Sequence, residues 1–456
     1  MRCLMRSASH SKILIDFFLQ LLDNGGVITV PPYALDVLRQ LTHYGYKAYV
    51  VGGCVRDSLL GRVPADWDVC TDATPEEMLT VFRKFRVFKT GLKHGTITVR
   101  SRGQSVEVTT FRTDGDYSDN RHPDAVTFVS RVEDDLARRD FTINAMAYHP
   151  DEGLVDAFGG QQDLDSRTLR CVGEPDRRFQ EDGLRILRAL RFAARFELAI
   201  ERETSYAIHR NRHLLENISA ERIFKELHGI LCAKGVGDML TAYPGVFGII
   251  IPELAALPGH LLPSGADAWA HTVRTVCATP AEPFALRMAM LLHCAAAPTA
   301  TSTQEHAAAL AKQALLRLKS DNATLKLTTT LVQEIGLHLP DSRPTLRRII
   351  GRLGADPLLH IFTLQQALSR SCGTPPMQAL CRARLMADEL LEAAPTFTTA
   401  DLAISGNTLI DLGIPPGPAL GRILSTLLSE VQDELIPNTR EALLARVLSL
   451  SGTSIK

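Results

Sequence analysis

Long apolar runs are lacking in this chain of 456 residues: no stretch approaches the roughly 18–20 residues that span a bilayer. The best run, residues 246–251, is far too short. That excludes a membrane-spanning helix, and no membrane partner is expected. Paired cysteines are lacking as well. The nine cysteines (Cys3, Cys54, Cys70, Cys171, Cys232, Cys277, Cys294, Cys372 and Cys381) never fall at C-x-x-C spacing. This favours reduced thiols in the cytoplasm over disulfides or a zinc cluster. Net charge is nearly absent, with 50 Lys and Arg against 51 Asp and Glu leaving −1. A nucleic-acid partner therefore has to be met by a local basic patch rather than by a global field. The N-terminus (MRCLMRSASHSKILIDFFLQLL) has no small-residue cleavage site, so residues 1–28 read as an extension rather than a signal peptide.

What is there is ordinary in bulk and specific in detail. A hydrophobic content of 45% is that of a soluble protein, and the length implies two to four domains. Residues 34–45 read as a helix, 48–51 as a strand, 54–60 as a helix stopped by Gly61, 66–70 as a strand and 75–85 as a helix. Residues 96–100 and 105–111 read as paired strands, and 112–125 as a polar, mobile loop. From about 135 onward the periodicity is almost entirely helical. The expected fold is α+β, a small α/β head followed by an all-α remainder. The expected divisions are a head at 29–150, a neck at 151–235, a helical body at 236–395 and a helical tail at 396–456.

Chemistry concentrates at Gly52-Gly53-Cys54-Val55-Arg56-Asp57, followed by Asp66-Trp67-Asp68. A glycine turn opening a helix lets backbone N–H groups approach an anion where the helix dipole favours it. On a strand, Asp66 and Asp68 share a face. Adjacent carboxylates repel unless a cation lies between them, and hard oxygen ligands suit Mg²⁺. Glu107, on a strand able to pair beside Asp66, is the best third acid for a two-metal site. Arg138-Arg139-Asp140 with Asn144 offers guanidinium forks for phosphates. Residues 167–195 carry eight arginines against four acids. Within them a helix beginning at Glu181 places Ile186, Leu190 and Ala193 on one face and Glu181, Arg185 and Arg188 on the other. Asp182 and Arg185, three apart, are neighbours on that helix and could read a base edge: a carboxylate accepts from an exocyclic amine and a guanidinium donates to ring acceptors. Arg347, Arg348 and Arg352 read as a solvated helix face.

The stretches GGCVRDSLLG, DWDVCTDATPEE, GLKHGTITV, VEVTTFRTDGDYSDNRHPDAVTF, LARRDFTINAMAY, DAFGGQQDL, RFQEDGLRILRALRFAARF and ISAERIFKEL run in order over residues 48–228. They resemble the bacterial and eukaryotic class of tRNA nucleotidyltransferases, the CCA-adding enzymes, which includes bacterial poly(A) polymerases. The resemblance implies a nucleotidyltransferase head with all-α neck, body and tail, a tRNA 3′ acceptor end as partner, and ATP and CTP as substrates. It implies Mg²⁺ on Asp66 and Asp68 with Glu107 as third acid. It further implies nucleotide binding by Gly52, Gly53, Arg56, Arg139, Asp140, Asn144, Glu181, Asp182, Arg185 and Arg188. The loop at 112–125 matches the segment that such enzymes need to switch from C to A. An A-adding, CC-adding or poly(A)-making relative, or an inactive RNA-binding protein, are the alternatives. Farther on, Trp269-Ala270-His271-Thr272, Leu291-Leu292-His293-Cys294 and Glu305-His306 resemble an HD-type phosphohydrolase motif whose aspartate is replaced by Cys294. With that hard ligand lost, the segment is expected to be a helical scaffold without phosphohydrolase activity.

Overall fold

The computed structural model describes residues 28–115, 125–299, 303–393 and 396–451. The proposed N-terminal extension, apart from Ile28, and the middle of the loop at 112–125 therefore lie outside the described residues. The chain divides into two compact units, Met1–Gly235 and Val236–Lys456.

The first unit is built on a seven-stranded mixed sheet of order β3-β4-β5-β2-β1-β8-β9. Its strands are β1 (Ala48–Val51), β2 (Val69–Thr71), β3 (Arg86–Phe88), β4 (Thr96–Ser101), β5 (Gln104–Thr110), β8 (Ala147–His149) and β9 (Gly153–Val155). Neighbours pair antiparallel except β2 and β5, which run parallel in the register Val69↔Val108. All four residues of β1 are buried, which suits a central strand. β5 alternates, with Val106, Val108 and Thr110 buried and Glu107 exposed on the other face. The helix Pro32–His43 has proline in its first turn and buries Ala34, Val37, Leu38 and Leu41, an i, i+3, i+4, i+7 stripe. The helix Pro75–Val81 is started by a capping box between Thr74 and Glu77. Tyr49, Val51, Cys70, Phe111, Leu136, Ala147 and Val172 form one core beneath the sheet.

Several boundaries differ from the sequence expectation. The strand expected at 66–70 begins only at Val69, although the Val51 N–H still donates to the Asp68 carbonyl at 3.0 Å. The helix expected at 75–85 stops at Val81. Beyond residue 135 the chain is not purely helical, because β8 and β9 complete the sheet, the latter past residue 150. These strands are three residues each, too short for a period-2 pattern to register. The ends of the expected loop at 112–125 form a two-stranded ladder, β6 (Arg112–Asp114) with β7 (Val126–Phe128).

The second unit is helical throughout its regular elements, from Val236–Ala242 to Arg440–Ser451. Its C-terminal part has a core of its own, with Leu402, Ile404, Leu409, Leu427, Leu443 and Val447. Arg347 pairs with Glu434 at 2.8 Å, Arg348 with Asp433, and Arg352 with Glu334 at 2.5 Å. Arg348 and Arg352 are exposed, as expected of a solvated face, Arg347 is half-buried, and all three are ion-paired. No helix among the described residues is long and apolar enough to cross a membrane.

Candidate active site

The acidic part of the site starts from Trp67. That ring is buried, with 3% of its surface exposed. Burial of Trp67 turns its neighbours Asp66 and Asp68 the opposite way, as in a strand, though the strand proper begins one residue later. Continuing the parallel register by one residue places Asp68 opposite Glu107 on β5. Directly opposite residues share a face, so all three carboxylates gather on one side of the sheet. Asp68 records the consequence. Burial first, then the charges of Asp66 and Glu107, push its carboxyl up to about 6, with Arg139 acting against them. A half-buried carboxylate with two acidic neighbours is an electrostatic deficit that a bound divalent cation removes. The donors are hard oxygens, so this set fits such a cation.

Behind the carboxylates lies the glycine turn. Gly52 has φ +79°, in the left-handed region, and it precedes the helix Gly53–Leu59. A Cβ at Gly52 would lie 2.7 Å from Arg139 Nη1. Glycine is required there by conformation, and a side chain would in addition push the tip of Arg139 aside. Arg139 is anchored on Asp135 at 3.3 Å.

A buried polar network supports this wall. Asp140 Oδ2 accepts from Arg188 Nε at 2.8 Å and Nη2 at 2.6 Å, while Oδ1 accepts from the Phe141 N–H at 2.9 Å and Asn144 Nδ2 at 3.0 Å. Burial would raise the Asp140 carboxyl, but Arg188 and Asn144 outweigh it and bring it down to about 2. Arg56 donates to Asn144 Oδ1, pairs with Asp57 at 2.7 Å and stacks over Phe196 at 4.6 Å. The residue is 6% exposed. Arg56 thus orients Asn144 more than it faces solvent.

The neck departs most from expectation. The single helix expected from Glu181 is two helices, Pro175–Glu181 and Leu184–Phe196, broken at Asp182, whose backbone is extended. Gly183 packs against Leu214, where a Cβ would meet the Leu214 Cβ at 3.0 Å. The side chains of Asp182 and Arg185 are therefore not paired with each other, although the Arg185 N–H donates to the Asp182 carbonyl at 3.0 Å. Arg185 Nη1 donates to Glu181 Oε2 at 2.6 Å, and Arg185 Nη2 to the Arg138 carbonyl at 3.2 Å. Asp182 Oδ1 accepts from the Leu184 N–H at 3.0 Å, and Oδ2 from Arg222 at 2.8 Å. The expected inner face is observed, with Ile186, Leu190 and Ala193 buried.

These walls enclose a cavity of about 600 Å³. Its lining includes Gly52, Gly53, Arg56, Asp66, Asp68, Arg139, Asp140, Asn144, Asp182, Arg185 and Arg188. Of the site residues read from sequence, Glu107 and Glu181 do not line it: Glu107 stands behind Asp68, and Glu181 holds Arg185. Arg138, read from sequence as a phosphate fork, also lines it, as do Arg191 and Arg195 of the basic patch; Leu184, Phe192 and Arg222 are lining residues that the sequence reading did not select. Arg222 falls within ISAERIFKEL, the one signal that could have found it.

A sheet carrying clustered carboxylates, beside an arginine-lined cavity large enough for a nucleotide, defines a nucleotidyltransferase-type protein. Residues 48–170 match the poly A polymerase head domain, 197–257 the probable RNA and SrmB-binding site of polymerase A, and 299–447 the putative tRNA nucleotidyltransferase domain 2. The CCA-adding enzyme of Geobacillus thermodenitrificans is 35% identical over 431 residues, spanning 93% of this chain and 99% of that protein. The Bacillus stearothermophilus CCA-adding enzyme in complex with CTP superposes with a TM-score of 0.70 at 30% identity, over 93% of this chain and 100% of the other. The Thermotoga maritima CCA-adding enzyme complexed with tRNA shares the fold, with a TM-score of 0.59 at 21% identity over 94% of this chain and 97% of that one. The chain belongs to the family of CCA-adding enzymes.

Proposed function

We propose that this protein adds C, C and A in turn to the 3′ end of tRNA, using CTP and ATP without a nucleic-acid template and releasing pyrophosphate. The observation that carries the reading is that one cavity is lined both by Asp66 and Asp68, with Glu107 acting on Asp68 from outside the lining, and by Asp182 and Arg185. Asp66 and Asp68 would hold Mg²⁺, with Glu107 behind them. When bound, two such ions supply activation of the tRNA 3′ hydroxyl and charge neutralisation on the triphosphate. Gly52, Gly53 and Arg139 cradle phosphate oxygens, and Asn144, fixed by Asp140 and Arg56, meets the sugar. Asp140 stays ionised at working pH, which keeps the Arg188 guanidinium and the Asn144 amide in place.

Base choice follows from hydrogen-bond polarity. Cytosine and adenine each present an exocyclic amine beside a ring acceptor, whereas uracil and guanine present a carbonyl beside an N–H. The Asp182 carboxylate accepts from the amine and Arg185 donates to the ring nitrogen. Uracil and guanine would set acceptor against acceptor. The helical second unit holds the acceptor arm by shape and phosphate, and the protein works in the cytoplasm. The domain divisions at 150, 235 and 395 are part of this reading. The test uses three transcripts, ending before CCA, after C, and after CC, each with CTP and ATP, and sequences the products. Completion of CCA on all three is expected. Products that stop at CC, A added without C to the transcript ending before CCA, or long A tails would sink the reading.

A further inference from the structure

In the helical second unit, three potential ligand atoms converge from two sequence neighbourhoods. His271 lies on the helix Ala268–Ala278, and His293 and Cys294 close the helix Phe284–Leu292. His271 Nε2 is 3.1 Å from His293 Nε2, Cys294 Sγ is 3.2 Å from the same nitrogen, and ligand atoms of all three lie within 4.8 Å of one another. His293 and Cys294 are buried, and a cavity of about 240 Å³ opens beside the group. Glu305 and His306 of the HD-like pattern do not join it.

The proton on the His293 ring can be assigned. His293 Nδ1 lies 2.7 Å from the Met290 carbonyl, which can only accept. Nδ1 therefore carries the hydrogen, and Nε2 presents its lone pair. His271 Nδ1 lies 3.3 Å from Cys372 Sγ, at the end of the helix Ala355–Cys372. Where the Cys372 sulfur accepts a hydrogen from that nitrogen, the His271 Nε2 lone pair is aimed at the His293 lone pair; in the other tautomer His271 Nε2 competes with Cys294 for that same lone pair. A single ring lone pair takes one linear donor, yet two heavy atoms crowd it here. A cation at the centre resolves the conflict for all three atoms.

We propose that His271, His293 and Cys294 bind a zinc ion, with Cys372 orienting His271 from outside the ligand shell. Imidazole and thiolate are the donors zinc prefers, and replacement of a hard carboxylate by Cys294 moves the site away from magnesium-like ions. Tetrahedral zinc, with bonds of about 2.0–2.1 Å to nitrogen and 2.3 Å to sulfur, sets ligand atoms roughly 3.3–3.8 Å apart. The His271–His293 and His293–Cys294 separations need only a few tenths of an ångström of adjustment, and the His271 and Cys294 atoms already lie within 4.8 Å of each other. The ion ties two helices directly and a third through Cys372, and its fourth position faces the cavity. Binding releases the Cys294 thiol proton to solvent. Cysteine spacing in the sequence pointed away from zinc, because the donors come together only through tertiary packing.

The test is a Co²⁺ titration of the chelator-stripped, full-length protein in excess Mg²⁺, which keeps carboxylate sites occupied. One equivalent of Co²⁺ should give a thiolate-to-cobalt charge-transfer band with tetrahedral visible bands, displaced by Zn²⁺. C294S should lose the charge-transfer band while keeping its far-UV circular dichroism and its nucleotide addition. C277S and C381S should keep the band, and C372S should weaken metal affinity about 10–100-fold. Absence of the band in the wild type, or its persistence in C294S, would overturn the proposal.

Discussion

Replacing Asp68 by asparagine should make the metal-free protein more stable and the enzyme inactive. In the folded head the Asp68 carboxyl titrates at about 6 instead of the ordinary 3.8, because burial, Asp66 and Glu107 all oppose its charge. That difference corresponds to about 3 kcal/mol of destabilisation at neutral pH. An amide still has to be solvated in the same place, so a gain of about 1–3 kcal/mol is expected for Asp68→Asn. At about 2–4 °C per kcal/mol for a domain of this size, the thermal midpoint should rise by several degrees. The sign with pH is fixed. The folded state binds this proton more tightly than the unfolded chain, so the destabilisation is complete above about pH 6 and fades as the pH falls towards 4. The advantage of Asp68→Asn should therefore be greatest near pH 7.5 and nearly gone at pH 4. Magnesium should raise the midpoint of the wild type and leave the variant unmoved. The assay is circular-dichroism melting from pH 4 to 8 with chelator or Mg²⁺, beside primer extension. An Asp68→Asn protein no more stable than wild type at pH 7.5, or one that still extends tRNA, would refute the reasoning.

Arg222→Ala removes the guanidinium that fixes Asp182 Oδ2 at 2.8 Å without touching the carboxylates of the sheet. Misincorporation of UTP and GTP should rise about tenfold, the smaller end of the 1–3 kcal/mol carried by a good base contact, while the Mg²⁺ dependence of addition stays unchanged. Product sequencing with all four nucleotides measures it. Gly52→Ala puts a side chain at φ +79° and 2.7 Å from Arg139 Nη1. It should cost about 1–2 kcal/mol of stability and, by displacing Arg139, lower kcat/KM for both nucleotides at least tenfold, read by melting and steady-state kinetics.

The sequence made legible what depends on neighbours along the chain. The alternation around Val106 and Val108 and the glycine turn at Gly52 rest on local pattern, whereas the pairing of β5 beside the Asp66-Asp68 segment joins residues 39 apart and was read from the strand patterns of both segments. The arginines of residues 167–195 were legible as a basic patch but not as pairs. Arg188 meets Asp140 and Arg191 meets Glu226, contacts set by tertiary packing across 48 and 35 residues. The break at Asp182-Gly183 was missed because Gly183 sits in an otherwise helical pattern, and its packing partner Leu214 lies 31 positions on. Phe192 reads as an apolar core residue, yet three guanidiniums (Arg56, Arg188 and Arg191) stack on it within 5.3 Å of the ring centroid. No spacing rule announces such a cluster.

The central claim is that protein side chains alone choose the nucleotide. Equilibrium binding of CTP, ATP, GTP and UTP to the RNA-free protein in Mg²⁺ tests it most directly. The structure predicts binding of CTP and ATP, with at least tenfold weaker binding of GTP and UTP, and loss of that preference in Asp182→Ala. Equal binding of all four nucleotides, or a preference that emerges only when tRNA is added, would contradict it.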